Sequence, residues 1–247
     1  MEVDDDHERD PMNLHASYEN LSPQEQYWWK WIRLFLPHRV RWYFEGCLSI
    51  PGQLWRADRK LLYETIRRVR PQTVVEVGTW HGGGSTYFIS QALHDNNFGM
   101  LHTIEVDPQA YAIAQDNYRR HLPHLLNRVR FHFGKATDLY PALLRDLGQI
   151  EAVFLDGSAN PEEALGEFEM FQPFLRKGAV VLMHDWDNEK MTLLRPTIEQ
   201  SSEWHVWQTI TAPQSVGFAV VERLRVMSEA KPHSSHALGE EKYIFKV

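Results

Sequence analysis

The sequence has one cysteine, Cys47, in 247 residues. A single thiol excludes a disulfide within the chain, and because no base accompanies Cys47, we interpret it as a packed small hydrophobic residue. No apolar run approaches the roughly 20 residues that a membrane-spanning helix needs. Internal repeats and low-complexity tracts are also missing. These absences argue against a disulfide scaffold, a transmembrane protein and a repeat protein.

The sequence has fewer basic than acidic residues, 26 against 33, so its formal net charge is -7. The first ten residues hold six acids and one arginine, so the rest of the chain is nearly neutral. We therefore expect no nucleic-acid partner and no membrane partner. The acidic start has the wrong charge for a signal peptide, which favours a cytoplasmic protein. We expect residues 1–20 to form an acidic flexible tail.

Length and a hydrophobic content of 43% suffice for one α/β domain. We divide the chain into the acidic tail, an aromatic-rich N-terminal helical extension or lid at 21–56, the main domain at 57–225 and a polar C-terminal tail at 226–247. The extension is rich in tryptophan and tyrosine. It either packs on the core, covers a substrate pocket or forms a homodimer contact.

A glycine-rich loop is the most informative feature that the sequence does have. Residues 73–86 read Thr-Val-Val-Glu-Val-Gly-Thr-Trp-His-Gly-Gly-Gly-Ser-Thr, a β-branched run that breaks into glycines. This pattern predicts a strand, a tight loop and a helix whose first N–H groups face a ligand. Such loops also occur as purely structural turns, so the loop alone does not establish a cofactor site.

A second acid strengthens the cofactor interpretation. Glu105 follows a strand-like run and lies 21 residues past Gly84. A carboxylate at the tip of the second strand accepts hydrogen bonds from ribose hydroxyls in doubly wound folds. Asp107 precedes Pro108 and fits the N-cap of the next helix. We therefore assign Glu105 to the ligand and Asp107 to capping.

Strand-like and helix-like segments alternate along the main domain, which predicts a mainly parallel sheet with helices on both faces. Further strands are predicted at Val129–Phe133, Ala152–Leu155 and Ala179–Met183, and a final strand pair at Trp204–Ile210 and Val216–Val221. Helices are predicted near 57–69, 87–93, 108–121, 138–147 and 161–175. Asn160 begins a capping box, so Glu162 and Glu163 are interpreted as helix-start acids.

Glycine spacing separates the possible cofactors. A nicotinamide fingerprint has G-x-G-x-x-G, whereas this loop has Gly78-x-x-x-Gly82-x-Gly84 behind Glu76. At this point the chain resembles the class I S-adenosylmethionine-dependent methyltransferases, and within them the catechol O-methyltransferase type. Four blocks carry the resemblance in order: residues 76–86, 104–108, 133–141, and 152–157 followed by 175–186. It implies a Rossmann-like doubly wound sheet of seven strands with an antiparallel last strand.

The resemblance also implies roles for individual residues. The methionine end of S-adenosylmethionine would lie against Glu76 and the loop, the ribose against Glu105, and the adenine against residues 135–137. The cofactor-binding residues expected on this basis are Glu76, Gly78, Thr79, Trp80, Gly82, Ser85, Glu105, Ala136, Thr137 and Asp156.

Chemistry is expected at the ends of the fourth and fifth predicted strands. Catechol-type enzymes hold magnesium there with two aspartates and an asparagine, and Asp156 and Asp185 match the aspartates. Trp186 stands at the asparagine position and Ala159 at that of the lysine base. Mg²⁺ therefore stays an open possibility, with Asp187 or Asn188 as replacement oxygen ligands.

Without a metal, His184 is the natural general base, although a hydrogen-bonded histidine at a strand end has no need of a catalytic role. His81 is a weaker candidate. The predicted catalytic residues are accordingly His184, Asp185 and Asp156.

The prediction for function is methyl transfer from S-adenosylmethionine to a small molecule, most simply at a hydroxyl, in small-molecule or natural-product metabolism. Trp80 and Trp186 would wall an apolar acceptor. Two alternatives stay open: a cofactor-binding protein that has lost methyl transfer, and an NAD-dependent oxidoreductase.

Overall fold

The computed structural model describes residues 50–52, 54–158, 160–212 and 215–224. The acidic tail, most of the aromatic extension with Cys47, the C-terminal tail after residue 224 and Ala159 lie outside the described residues. The predictions made for those segments therefore stay predictions.

The described chain alternates helices and strands. In order, the elements are α1 Arg56–Val69, β1 Thr73–Val77, α2 Ser85–Asn96, β2 Met100–Glu105, α3 Pro108–His121, β3 Val129–Phe133, α4 Ala136–Leu147, β4 Ile150–Leu155, α5 Pro161–Phe171, β5 Leu175–His184, α6 Leu194–Glu199, β6 Trp204–Ile210 and β7 Phe218–Arg223. Short 3-10 turns at Pro123–Arg128, Gln172–Phe174 and Glu189–Met191 link some of them. No helix within these ranges is long and apolar enough to cross a membrane.

The seven strands form one sheet in the order β3-β2-β1-β4-β5-β7-β6. The first five are parallel, whereas β7 pairs antiparallel with both β5 and β6. This confirms the predicted doubly wound fold with its antiparallel last strand. The insertion of β7 between β5 and β6 was not part of the prediction, because adjacent strands of a hairpin pair equally well in either position.

Two hydrophobic clusters cover the two faces of the sheet. Alternate residues of a strand point to opposite faces, so Val74 lies in one cluster with Leu62 and Phe88, and Val75 lies in the other with Tyr140 and Phe168. Strands β1 and β4 are buried along their whole length. Burial on both faces is typical of parallel sheets, and it leaves the strand ends as the place for a site.

Several element boundaries differ from the prediction by a few residues, and two of these differences have a clear physical reason. The helix predicted to reach residue 175 ends at Phe171, because Pro173 lacks an N–H and the chain passes into a 3-10 turn. Strand β7 begins at Phe218, after Gly217 with φ 102°. A Cβ on Gly217 would lie 2.3 Å from the Asp187 nitrogen, so glycine permits the close approach of β7 to the turn after β5.

Candidate active site

A cavity of about 560 Å³ opens at the carboxyl ends of the parallel strands. Its floor is made by the ends of β1 and β2 and by the start of α4, and α5 forms the facing wall. The residues lining it that bear on function are Gly78, Glu105, Ala136, Thr137, Gly157 and Glu167. Four of these were predicted as cofactor-binding residues, namely Gly78, Glu105, Ala136 and Thr137.

The glycine-rich loop connects β1 to α2 as predicted. Gly78 adopts φ 94°, a left-handed conformation that favours glycine, and its N–H donates to the Ile104 carbonyl at the end of β2. Gly84 precedes the first residue of α2, Ser85. The loop therefore lies between two strand ends, with a helix N-terminus directly behind it.

Glu76 lies beneath this loop rather than in the open cavity. Its side chain is fully buried and accepts a 2.7 Å hydrogen bond from the Thr86 hydroxyl. Burial raises the pKa of Glu76 to about 7, against the lowering effect of hydrogen bonds from Ser85, Thr103 and Thr86. The Tyr140 hydroxyl donates to the Glu76 carbonyl. Glu76 thus couples the loop, α2 and α4.

Glu105 joins the loop to the end of β2. One carboxylate oxygen accepts from the Trp80 N–H at 2.7 Å, and the other accepts from the Val106 and Asp107 N–H groups at 2.9 Å. The side chain also lines the cavity. Asp107 caps α3 instead, since its carboxylate accepts from the Ala110 N–H at 2.7 Å, which is the capping role predicted for it.

A cluster of five charged side chains lies at the ends of β4 and β5. We call it the charged cluster: Asp58, Asp156, His184, Asp185 and Lys190. Asp156 precedes Gly157 of the cavity wall, His184 ends β5, and Asp58 enters from α1. Three carboxylates and two nitrogen bases therefore meet where the sequence predicted only Asp156, His184 and Asp185.

His184 lies at the centre of the charged cluster. Its Nδ1 is 3.3 Å from Asp156 and 3.5 Å from Asp185, and its Nε2 is 3.5 Å from Asp58. Burial opposes the charged imidazolium, but the bonds with Asp156, Asp185 and Asp58 outweigh it and raise the pKa of His184 to about 11. A histidine that keeps its proton at neutral pH is poorly suited to act as the predicted general base.

Lys190 was not predicted, and it holds the two aspartates of the charged cluster together. Its Nζ lies 3.1 Å from the Asp156 carboxylate and 2.7 Å from that of Asp185. Asp185 is left-handed, with φ 59°, a strained conformation that aspartate tolerates better than most residues. His184 and Lys190 together lower the pKa of Asp185 to about 2, against the opposing effect of burial.

The residues present do not fit a divalent cation. Ligand atoms of Asp156, His184 and Asp185 lie within 4.8 Å of one another, but Mg²⁺ prefers oxygen ligands, and the Lys190 ammonium and the His184 imidazole already contact these carboxylates. Of the replacement ligands suggested by the sequence, Asp187 is engaged elsewhere, and Asn188 presents its amide N–H to the site. Asp187 pairs with Arg195 at 3.0 Å, and the Asn188 amide donates to Asp185 at 2.8 Å.

The two tryptophans predicted to line an acceptor pocket, Trp80 and Trp186, differ in their exposure. Trp186 is 1% exposed and packs in the same buried cluster as Met191 and Leu194, so it does not line an open acceptor pocket. The prediction for Trp186 is therefore wrong, because the turn after β5 folds its ring inward. Trp80 is 36% exposed and stacks on His81, with ring centroids 4.1 Å apart. His81 pairs with this ring and takes no place in the charged cluster.

Three side chains of the site escaped the sequence analysis: Asp58, Glu167 and Lys190. Asp58 lies in a helix whose apolar spacing indicated ordinary packing, and Lys190 lies in a short 3-10 turn without a recognisable pattern. Glu167 faces the cavity from α5, and burial raises its pKa to about 7. Its position one helical turn after Glu163 was the available signal.

Comparisons with known proteins agree with this geometry. Residues 75–186 match a family model described as "Methyltransferase domain". No curated protein matches the chain. Residues 75–186 are therefore similar to a methyltransferase domain, and the resemblance drawn from the four sequence blocks is confirmed.

Solved structures share the fold at low sequence identity. The O-methyltransferase TomG from Streptomyces achromogenes, involved in tomaymycin synthesis and solved with SAM, is 21% identical, with a TM-score of 0.59 over 70% of this chain and 82% of that one. An O-methyltransferase from Bacillus cereus in complex with SAH is 16% identical, with a TM-score of 0.57 over 85% and 96%. The SAH-bound methyltransferase PaMTH1 of Podospora anserina is 16% identical, with a TM-score of 0.54 over 85% and 93%.

Proposed function

We propose that this chain, whose residues 75–186 are similar to a methyltransferase domain, transfers a methyl group from S-adenosylmethionine to a hydroxyl of a small molecule. The observation that carries the proposal is the cavity of about 560 Å³ at the strand ends, whose lining residue Gly157 directly follows Asp156 of the charged cluster. Cavities of this volume accommodate a small-molecule cofactor.

The cofactor would lie along the cavity with each end against a different element. Glu105 would accept hydrogen bonds from the ribose hydroxyls, and Ala136 and Thr137 would contact the adenine. Gly78 allows the methionine end to approach the backbone of the loop. This orientation would direct the sulfonium towards Asp156, the first residue after β4.

The reaction needs alignment and an activated oxygen more than covalent catalysis. The acceptor oxygen attacks the methyl carbon and forms a C–O bond, while the C–S bond breaks and its electron pair stays on sulfur as a neutral thioether. The hydroxyl proton leaves to water at the open side of the site. His184 would not accept that proton, because its raised pKa keeps it protonated at neutral pH. The charged imidazolium would instead hold the aspartates in place.

Oxygen as the acceptor atom draws support from the named neighbours. TomG and the Bacillus cereus protein are O-methyltransferases, and their structures contain SAM and SAH. The Lys190 ammonium of the charged cluster could also donate a hydrogen bond to the oxygen of a single acceptor hydroxyl.

A turnover assay tests the proposed function directly. The purified chain, S-adenosylmethionine and a panel of phenols and aliphatic alcohols should yield S-adenosylhomocysteine and a product heavier by one methylene unit. Glu105→Ala should show much less of both at a low concentration of S-adenosylmethionine. Cofactor binding without turnover on any acceptor would favour the alternative of a binding protein that has lost transfer, and reaction of polar sugars alone would refute an apolar acceptor.

A further inference from the structure

The turn after β5 folds back on itself, so that Lys190 contacts Asp185 at the end of that strand. The Asn188 N–H donates to the Asp185 carbonyl at 2.8 Å, and the Met191 N–H donates to the Asn188 carbonyl at 3.0 Å. These bonds fold residues 185–191 into a compact turn with Lys190 above Asp185. The Lys190 side chain is 11% exposed, so its ammonium group is held within the site and does not extend into bulk water.

We propose that the ammonium group of Lys190 takes the place of the divalent cation that catechol-type methyltransferases hold between their aspartates, and that this enzyme works without a metal. The inference rests on the proposed function. Three observations support it: Nζ contacts both aspartates, Trp186 supplies no ligand oxygen, and Asp187 pairs with Arg195.

Lys190 would then have a defined part in the reaction. An ammonium group has three N–H donors, and two of them are used by Asp156 and Asp185 within the described part of the chain. The third is available for the acceptor oxygen. A positive charge there stabilises the negative charge that develops on the oxygen as its proton leaves. The carboxylates fix the ammonium in position before the acceptor binds.

Lys190 is not the base in this scheme. Burial opposes its charge, but Asp156 and Asp185 outweigh burial and raise the pKa of Lys190, so the group stays protonated at neutral pH. A point charge binds one oxygen, whereas a metal ion chelates two. The acceptor class that follows is a molecule with a single acidic hydroxyl, such as a phenol, with no requirement for a neighbouring hydroxyl.

Metal binding by the cofactor-free protein provides the first test. Wild-type protein titrated with Mn²⁺ at millimolar concentration and followed by electron paramagnetic resonance should bind none. Lys190→Asn frees both carboxylates and adds an amide oxygen, so this variant should bind Mn²⁺. Lys177→Asn removes an exposed lysine of β5 and should behave as wild type. Mn²⁺ binding by the wild type at Asp156 and Asp185, or no gain in Lys190→Asn, would overturn the inference.

Turnover provides the second test. Wild-type activity on a simple phenol should be unchanged by EDTA and by added Mg²⁺. Lys190→Met should lower kcat by roughly 100-fold with S-adenosylmethionine affinity retained, Lys190→Arg should recover part of the loss, and Lys177→Met should have no effect. Loss of wild-type activity in EDTA, or full activity of Lys190→Met, would contradict the proposal.

The two tests separate the inference from the function on which it rests. A chain that neither binds S-adenosylmethionine nor transfers methyl would refute the proposed function, yet the Mn²⁺ titrations would still decide whether Lys190 fills the cation position. If Lys190→Met fails to fold, wild-type turnover in EDTA decides the question alone.

Discussion

The two halves of the site are built in different ways. The cofactor half, at the ends of β1 and β2 and the start of α4, is an open cavity shaped by backbone and by acids such as Glu105 that bond to neighbouring N–H groups. The charged cluster, at the ends of β4 and β5, is a dense group of side chains that bond to one another. The first half is arranged to receive a ligand, and the second holds its charges in place before any ligand arrives.

This difference explains which half tolerates change. Loop backbone and helix N-termini bind a ligand without burying charge, so substitutions there should affect cofactor affinity more than stability. A buried carboxylate such as Asp58 needs its partner, because an unpaired buried charge is costly. Substitutions in the charged cluster should therefore affect stability and turnover together.

The largest effect is expected from His184→Gln. The variant leaves Asp58, which is 0% exposed, without its charged partner, and such a loss costs about 3–5 kcal/mol. The melting temperature should fall by about 2–4 °C per kcal/mol, measured by scanning calorimetry. Because the His184 pKa is raised from 6.5 to about 11, the stabilisation is full below pH 6.5 and is lost as pH rises through about 11.

The double variant Asp58→Asn/His184→Gln is the control for this prediction. Removing both charges should recover part of the stability that the single variant loses. A double variant as unstable as the sum of the two single variants would mean that Asp58 and His184 are not coupled.

Glu76→Gln should affect stability in a pH-dependent way. The pKa of Glu76 is raised from 4.5 to about 7, so the folded state holds a proton that the unfolded state releases. The carboxyl group therefore stabilises the fold at low pH, and this contribution falls as pH rises through about 7. We expect the free energy of unfolding of Glu76→Gln, relative to wild type, to increase by up to about 3 kcal/mol between about pH 5 and about pH 8. Thermal unfolding at the two pH values measures this change. A pH-independent difference would show that the carboxyl group is charged throughout.

Glu105→Ala should weaken S-adenosylmethionine binding by about 100-fold, which is about 2.7 kcal/mol. Loss of the carboxylate removes the proposed ribose contact and the bond from the Trp80 N–H. Calorimetric titration measures the change. Unaltered affinity would place the ribose elsewhere in the cavity.

Asp107→Ala is expected to have the smallest effect, and it is the matched control for Glu105→Ala. Removing this N-cap of α3 should cost about 1 kcal/mol of stability, seen as a small shift in the urea midpoint, with cofactor affinity retained. A loss of affinity equal to that of Glu105→Ala would mean that capping is not the main role of Asp107.

The cofactor half was predictable because its signals are local. Gly78, Glu105 and Asp107 lie in short patterns of strand, loop and helix start, and the sheet then brings the strand ends together. The charged cluster was only partly predictable. Asp58 comes from α1 and Lys190 from a 3-10 turn, and sequence spacing does not place such elements against β5. The buried position of Trp186 also depends on that turn.

Titration calorimetry with S-adenosylmethionine and S-adenosylhomocysteine, each with and without Mg²⁺ and with NAD as control, tests the central claim most directly. Both sulfur compounds should bind, Mg²⁺ should add nothing to either affinity, and NAD should not bind. No binding of either sulfur compound would contradict a methyltransferase site in the cavity and leave the glycine-rich loop as a structural turn.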